Sequence, residues 1–318
     1  MASKFPKTVI LNEVGPRDGF QFESRIIPLE MKFEVISRLI QAGLKEIQVA
    51  SFVNPEKVPQ MADPEKLLAM LPTDSGVVFS GLTLNLRGVE RACQSGLKHI
   101  EISVSASDSH SRQNMGKSVK SAMKSAREMI QMALFHQMTI RGSIQCAFGC
   151  GEEPDIPVEQ IASMASDFLS WGVHGICLSD TSGMAGPIAI MERLDETVPL
   201  AEKAPVSLHL HDTWGLGLVN VLTALPFGVD RFDVSFGGMG GCPFLKNASG
   251  NIATEDTIGL MDALNIPTGV DMRIVAQCSH LMEKFLGKKL PGKRYALLAD
   301  DEHPCGFPLT NQYTGGNK

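Results

Sequence analysis

Short strand-like segments and amphipathic helical stretches alternate along almost the whole chain, and this repeat constrains the fold more than any other feature of the sequence. The segments are VILNEV from Val9, EIQVASF from Glu46, VVFSGLTL from Val77, HIEISVSA from His99, TIRGSIQCAF from Thr139, GICLSD from Gly175, VSLHLHD from Val206 and RFDVSFGG from Arg231. Helical patterns follow them. PLEMKFEVISRLIQAG carries Pro28 early and Gly43 just past its end, as helix start and stop signals require. A βα order repeated about eight times predicts a parallel sheet with helices outside, and closure into a barrel is the favoured solution at this length. An open doubly wound sheet is disfavoured because no G-x-G-x-x-G turn follows the first strand. The expectation is therefore an α/β (β/α)8 TIM barrel as one catalytic domain over residues 1–318, with a C-terminal helical extension from about residue 270.

Composition narrows the class further. The 318 residues are 43% hydrophobic with a formal net charge of -6, and basic residues do not form runs. Nucleic acid is excluded as an expected partner, since phosphate binding needs a concentrated Lys/Arg surface. No run of about 18 apolar residues is present, so no membrane span is expected. The first residues pass directly into a strand-like segment, which leaves no room for a targeting peptide. Seven scattered cysteines suit a reducing compartment better than a disulfide framework, and a cytoplasmic protein is expected.

In a barrel, chemistry sits at the C-terminal ends of the strands. The first strand ends in Arg17-Asp18, which could aim one cation and one carboxylate at the mouth, although Gly-Pro-x-Asp-Gly is also ordinary turn chemistry. The seventh carries His209 and His211, two residues apart and so on one face, a ready pair of metal ligands. After the eighth strand, Gly237-Gly238-Met239-Gly240-Gly241-Cys242 reads as a flexible loop able to close over a site, with Cys242 as a candidate reactive thiol. Asn251 and Glu255 then fall at the start of a helix, where Asn can cap or ligate. Two His, an Asp and an amide oxygen suit a divalent cation such as Mg2+ or Mn2+, with positions left for substrate. Zinc is disfavoured because no cysteine lies at zinc-ligand spacing near the histidines.

NEVGPRDGFQ, SFVNPEKVPQMAD, HLHDTWG, GGMGGCPF and GNIATED, in that order, together with the SDT at Ser179–Thr181, resemble the 3-hydroxy-3-methylglutaryl-CoA lyase family along nearly the whole chain. The resemblance implies a metal bound by Asp18, His209, His211 and Asn251. It implies that Arg17 polarises the thioester oxygen, that Cys242 takes part in proton transfer, and that Ser51, Asn114 and Asp180 lie around the substrate. It further implies that Glu13 and Glu255 support Arg17 and the ligands. Cleaving a 3-hydroxyacyl thioester requires loss of the hydroxyl proton, for which His209 is the candidate base, and stabilisation of the enolate that forms.

The chain departs from the family pattern at Gln48, where the family carries glutamate, at Cys177 beside the substrate, and at Phe22 and Ser24. These changes are expected to reshape the acyl pocket. They predict low turnover of 3-hydroxy-3-methylglutaryl-CoA itself, and a gain from Gln48→Glu. Other readings are a lyase for a different carboxylated hydroxyacyl-CoA, such as citramalyl-CoA, a condensing acyltransferase of the isopropylmalate or homocitrate synthase kind, and a non-catalytic metal-binding barrel. An acyl-CoA substrate and a homo-oligomer, dimer or larger, complete the expectations.

Overall fold

The computed structural model describes residues 5–241 and 250–298. Eight strands, β1 (Ile10–Glu13), β2 (Glu46–Ser51), β3 (Val78–Thr83), β4 (His99–Ser105), β5 (Thr139–Gln145), β6 (Gly175–Asp180), β7 (Val206–Leu210) and β8 (Arg231–Val234), pair in parallel in chain order. β8 returns to β1, with Ile10 opposite Arg231 and Asn12 opposite Asp233, so the sheet closes. This is the barrel that the alternation predicts.

The outer ring contains α1 (Leu29–Gln41), α2 (Pro64–Met70), α3 (Leu86–Gln94), the pair α4 (Asp108–Met115) and α5 (Val119–Phe135), α6 (Val158–Ser170), α7 (Pro187–Ala201), α8 (Gly217–Ala224) and α9 (Thr254–Ala263). A further helix, α10 (Met272–Leu286), packs on α1. α1 starts after Pro28 and stops before Gly43, whose φ of 95° needs a glycine. It turns Val35, Ile36 and Leu39 toward the sheet, each fully buried and contributing roughly 2 kcal/mol of apolar burial. α10 is capped by Asp271, whose carboxylate accepts the Arg273 N–H at 2.8 Å.

Period-two alternation divides each strand. On β4, Ile102 and Val104 join the apolar layer under the helices, while Glu101 and Ser103 line a central cavity. On β5, Ile140 and Ile144 are in the apolar layer, and Ser143 and Gln145 face the same cavity. Barrel interiors are ordinarily filled with branched aliphatic side chains. Here Glu101, Arg141 and Asp233 occupy the interior and pair with one another, as buried charges must.

Candidate active site

Turn chemistry and site chemistry coincide after β1. Residues Gly15–Gly19 form one wide helical turn that buries both Arg17 and Asp18. Barrel closure sets this turn beside the end of β7, and Asp18, His209 and His211 each offer a ligand atom within 4.8 Å of the others. The Nε2 atoms of His209 and His211 converge to 3.2 Å. Asn251 does not cap a helix, because α9 begins after Ala253; it instead forms an isolated β-bridge with His211. Its Nδ2 donates to Asp18 Oδ2 at 2.8 Å and to the Met239 carbonyl at 2.9 Å, which leaves the buried Oδ1 without a partner among the described residues. A carboxylate, two imidazoles and an unpaired amide oxygen form a donor set that fits a divalent cation.

Each ligand candidate has its charge state set by neighbours. Burial opposes charge on Asp18, but Arg17, both imidazoles and Asn251 outweigh it and hold the carboxyl below its usual range. Burial and the adjacent His209 push His211 down to about 3, so it is a neutral donor. His209 is also penalised by burial, yet its pKa is raised because Nδ1 meets Asp233 Oδ2 at 3.1 Å. That contact places the proton on Nδ1 and turns the Nε2 lone pair toward the cluster.

Asp233 belongs to a hydrogen-bonded network that runs across the barrel and back to Asp18. Asp233 accepts from Arg141 Nη1 and Nη2 at 2.6 and 2.8 Å, and Arg141 Nε donates to Glu101 Oε2 at 3.0 Å. Gln48 Nε2 donates to the same Glu101 oxygen at 3.0 Å, its Oε1 accepts from Arg17 Nε, and Arg17 Nη1 pairs with Asp18. Gln48, expected near the mouth to shape the acyl pocket, is instead fully buried against Arg17 and Glu101 and outside the cavity lining. Glu101, Arg141 and Asp233 are functional candidates that the sequence reading missed. The available signal was a charged residue in the interior of each of three strands, flanked on both sides by residues of the apolar layer or by glycine.

A cavity of about 510 Å³ opens above the cluster. Arg17, Asp18, His209, His211, Ser51 and Asn114 line it, as do Phe22 and Ser24. Cys177 and Asp180 do not. Cys177 lies lower on β6, fully buried near Arg141 and Asp233, with its thiol pushed up to about 12 by burial. Asp180 points away from the axis and accepts the Met184 and Ala185 N–H groups, both at 3.1 Å, so its carboxylate shapes the loop before α7. A second cavity of about 260 Å³ at the other end of the barrel is also bordered by Glu101, Arg141 and Asp233.

Glu13 and Glu255 brace the segments that carry the ligands. Glu13 Oε1 accepts the N–H groups of Gly15 and Phe236 at 2.8 and 3.0 Å, and Oε2 accepts from Thr254 Oγ1 at 2.6 Å. Glu255 Oε2 accepts the Gly237 N–H at 2.9 Å, and Ser279 donates to its other oxygen. The described part of the glycine segment is packed. Gly240, at φ 138°, lies so close to Asn251 that a Cβ there would collide with the Asn251 amide. Cys242 lies outside the described residues.

Residues 8–282 match the HMGL-like family model. The chain is similar to the 3-hydroxy-3-isohexenylglutaryl-CoA/hydroxy-methylglutaryl-CoA lyase of Pseudomonas aeruginosa, at 38% identity over 89% of this chain and 94% of that protein. Its structure is similar to that of a hydroxymethylglutaryl-CoA lyase from Pseudomonas aeruginosa, with a TM-score of 0.89 at 35% identity, covering 92% of this chain and 98% of the other. An HMG-CoA lyase from Acinetobacter baumannii, solved in complex with coenzyme A and 3-methylmalate, superposes with a TM-score of 0.87 at 33% identity over 96% and 99% of the two chains. The chain belongs to the HMGL-like family.

Proposed function

We propose that this member of the HMGL-like family is a divalent-metal-dependent carbon–carbon lyase, which cleaves a 3-hydroxyacyl-CoA of the 3-hydroxy-3-methylglutaryl-CoA type to acetyl-CoA and an oxo acid. The observation that carries the proposal is the buried cluster of Asp18, His209 and His211 beside the unpaired Asn251 Oδ1, with Arg17 in the same cavity wall. These four ligands would hold Mg2+ or Mn2+, which on binding the substrate hydroxyl would lower its pKa and orient it.

The chain's own groups account for the rest. His209, which would hold the metal through Nε2, keeps its Nδ1 proton on Asp233, so the 3-hydroxyl gives its proton to the Asp18 carboxylate in the cavity wall. The oxygen electrons form the C3 carbonyl, the C2–C3 bond breaks, and its electron pair passes to the thioester as an enolate. Arg17 has Nε and Nη1 engaged by Gln48 and Asp18, which holds the guanidinium rigid and leaves Nη2 for the enolate oxygen. Cys242, by resemblance to the family, returns a proton to C2. Ser51 and Asn114 contact the substrate from the cavity wall.

The coenzyme A bound to the Acinetobacter baumannii relative supports an acyl-CoA substrate here. None of the described helices is long and apolar enough to cross a membrane. The described cysteines are free thiols, which supports a reducing compartment such as the cytoplasm. A homo-oligomer is part of the same reading. The decisive experiment incubates the protein with Mn2+ and 3-hydroxy-3-methylglutaryl-CoA and follows acetyl-CoA and acetoacetate. Release that is abolished by EDTA and restored by Mn2+ is expected; no release from any carboxylated 3-hydroxyacyl-CoA would overturn the proposal.

A further inference from the structure

We propose that the cavity wall formed by β4 and β5 is a polar subsite that selects a 3-hydroxyacyl thioester whose 3-substituent ends in a neutral hydrogen-bond donor such as a hydroxyl. This deepens the lyase reading and rests on it. Glu101 and Ser103 on β4 and Ser143 and Gln145 on β5 all line the cavity, with Ser103 directly opposite Ser143. Ser143 Oγ lies 3.2 Å from Ser179 Oγ, and Ser179 pairs across β6–β7 with His209. The polar wall therefore runs without interruption into the ligand cluster. The apolar lining comes from other segments: Phe22, Ile26, Val53, Leu82 and Leu84.

Two groups in this wall call for a ligand. Ser103 Oγ and Gln145 Oε1 are buried side-chain atoms with no hydrogen-bond partner among the described residues. β5 ends immediately after Gln145, where Cys146 takes a left-handed φ of 53° and its N–H is held by Thr181 Oγ1 at 2.9 Å, which fixes Gln145 at the rim. A buried hydroxyl or amide oxygen left unpaired costs about 1–3 kcal/mol, and a ligand that displaces water from such groups must reproduce the hydrogen bonds it removes. An apolar 3-methyl group cannot do so. A hydroxyl can donate to Gln145 Oε1 and exchange a hydrogen bond with Ser103. A cationic group is not called for, because the Glu101 carboxylate in the wall already accepts from Arg141 and Gln48.

The test compares kcat/KM for 3-hydroxy-3-methylglutaryl-CoA and 3-hydroxy-3-(hydroxymethyl)glutaryl-CoA, measured as acetyl-CoA release with Mn2+. The wild type is expected to favour the hydroxymethyl thioester by about tenfold or more, the ratio one well-made buried hydrogen bond supplies. Ser103→Ala combined with Gln145→Leu should bring the ratio to within about threefold of unity, while Ser103→Thr, which keeps the hydroxyl, retains the preference. Equal or faster turnover of the methyl thioester by the wild type overturns the subsite while leaving the lyase reading standing. A preference that survives in the double variant also overturns the subsite. Cleavage of neither thioester overturns the lyase reading, and the subsite with it.

Discussion

Gln48 Nε2 lies 3.0 Å from Glu101 Oε2, and through this contact a buried amide on β2 is tied to a carboxylate on β4. Its other end accepts from Arg17, so a neutral amide joins the guanidinium to Glu101.

That relationship reverses one expectation drawn from the sequence. Gln48→Glu, expected there to raise activity, would set two buried carboxylates within hydrogen-bonding distance, and two such groups cannot both ionise. The variant is expected to lose activity, with the ratio of its kcat/KM to that of wild type falling as pH rises and the shared proton leaves. Gln48→Glu combined with Glu101→Gln restores one carboxylate and one amide and should recover much of the loss. A single variant that outperforms the wild type at every pH would refute this account.

Asp233 is expected to govern metal affinity without touching the metal. Its Oδ2 orients His209, and partners of this kind are typically worth about 10–100-fold in affinity or activity. Titration of Mn2+ into Asp233→Asn by calorimetry should give that weakening, and Asp18→Ala or His209→Ala should weaken binding further while the far-UV circular dichroism is retained. Unchanged Mn2+ affinity in all three variants would show the site to be misassigned.

Alkylation separates the thiols. Burial pushes Cys146 and Cys177 up to about 12 and raises Cys278 as well, so all three stay protonated and react slowly with iodoacetamide at pH 8. Cys242 is expected to be modified first and to be protected by substrate. Peptide mapping decides this, and first labelling at Cys146, Cys177 or Cys278 contradicts it.

Glu13 couples the site's framework to pH. Burial raises its carboxyl to about 8 against the lowering effect of Thr254, Gly15 and Phe236. The folded state therefore holds a proton that the unfolded chain releases near its ordinary pKa. The stability this contributes is fully present below about 4.5 and is lost as pH rises toward 8. Glu13→Gln matches the protonated form and should flatten the dependence of metal-free unfolding free energy on pH over that window. An unaltered slope in denaturant titrations at several pH values would count against it.

The sequence by itself determined the barrel, since each strand and helix announces itself through local periodicity and end signals. It also located Arg17, Asp18, His209 and His211, because each pair is adjacent or two apart and lies at a strand end. Local pattern left Asn251 free to cap or to ligate, and the family resemblance set Cys177 and Asp180 around the substrate, whereas the tertiary structure places the first in a bridge with His211 and the others outside the cavity lining. Partnership depends on closure. Asn12 meets Asp233 at 2.7 Å across 221 residues only because β1 and β8 pair, and Gln48, Glu101, Arg141 and Asp233 come from four different strands. A two-residue period tells which face of a strand a side chain takes, but the height at which that face meets its neighbours is fixed by barrel register, which no local pattern encodes.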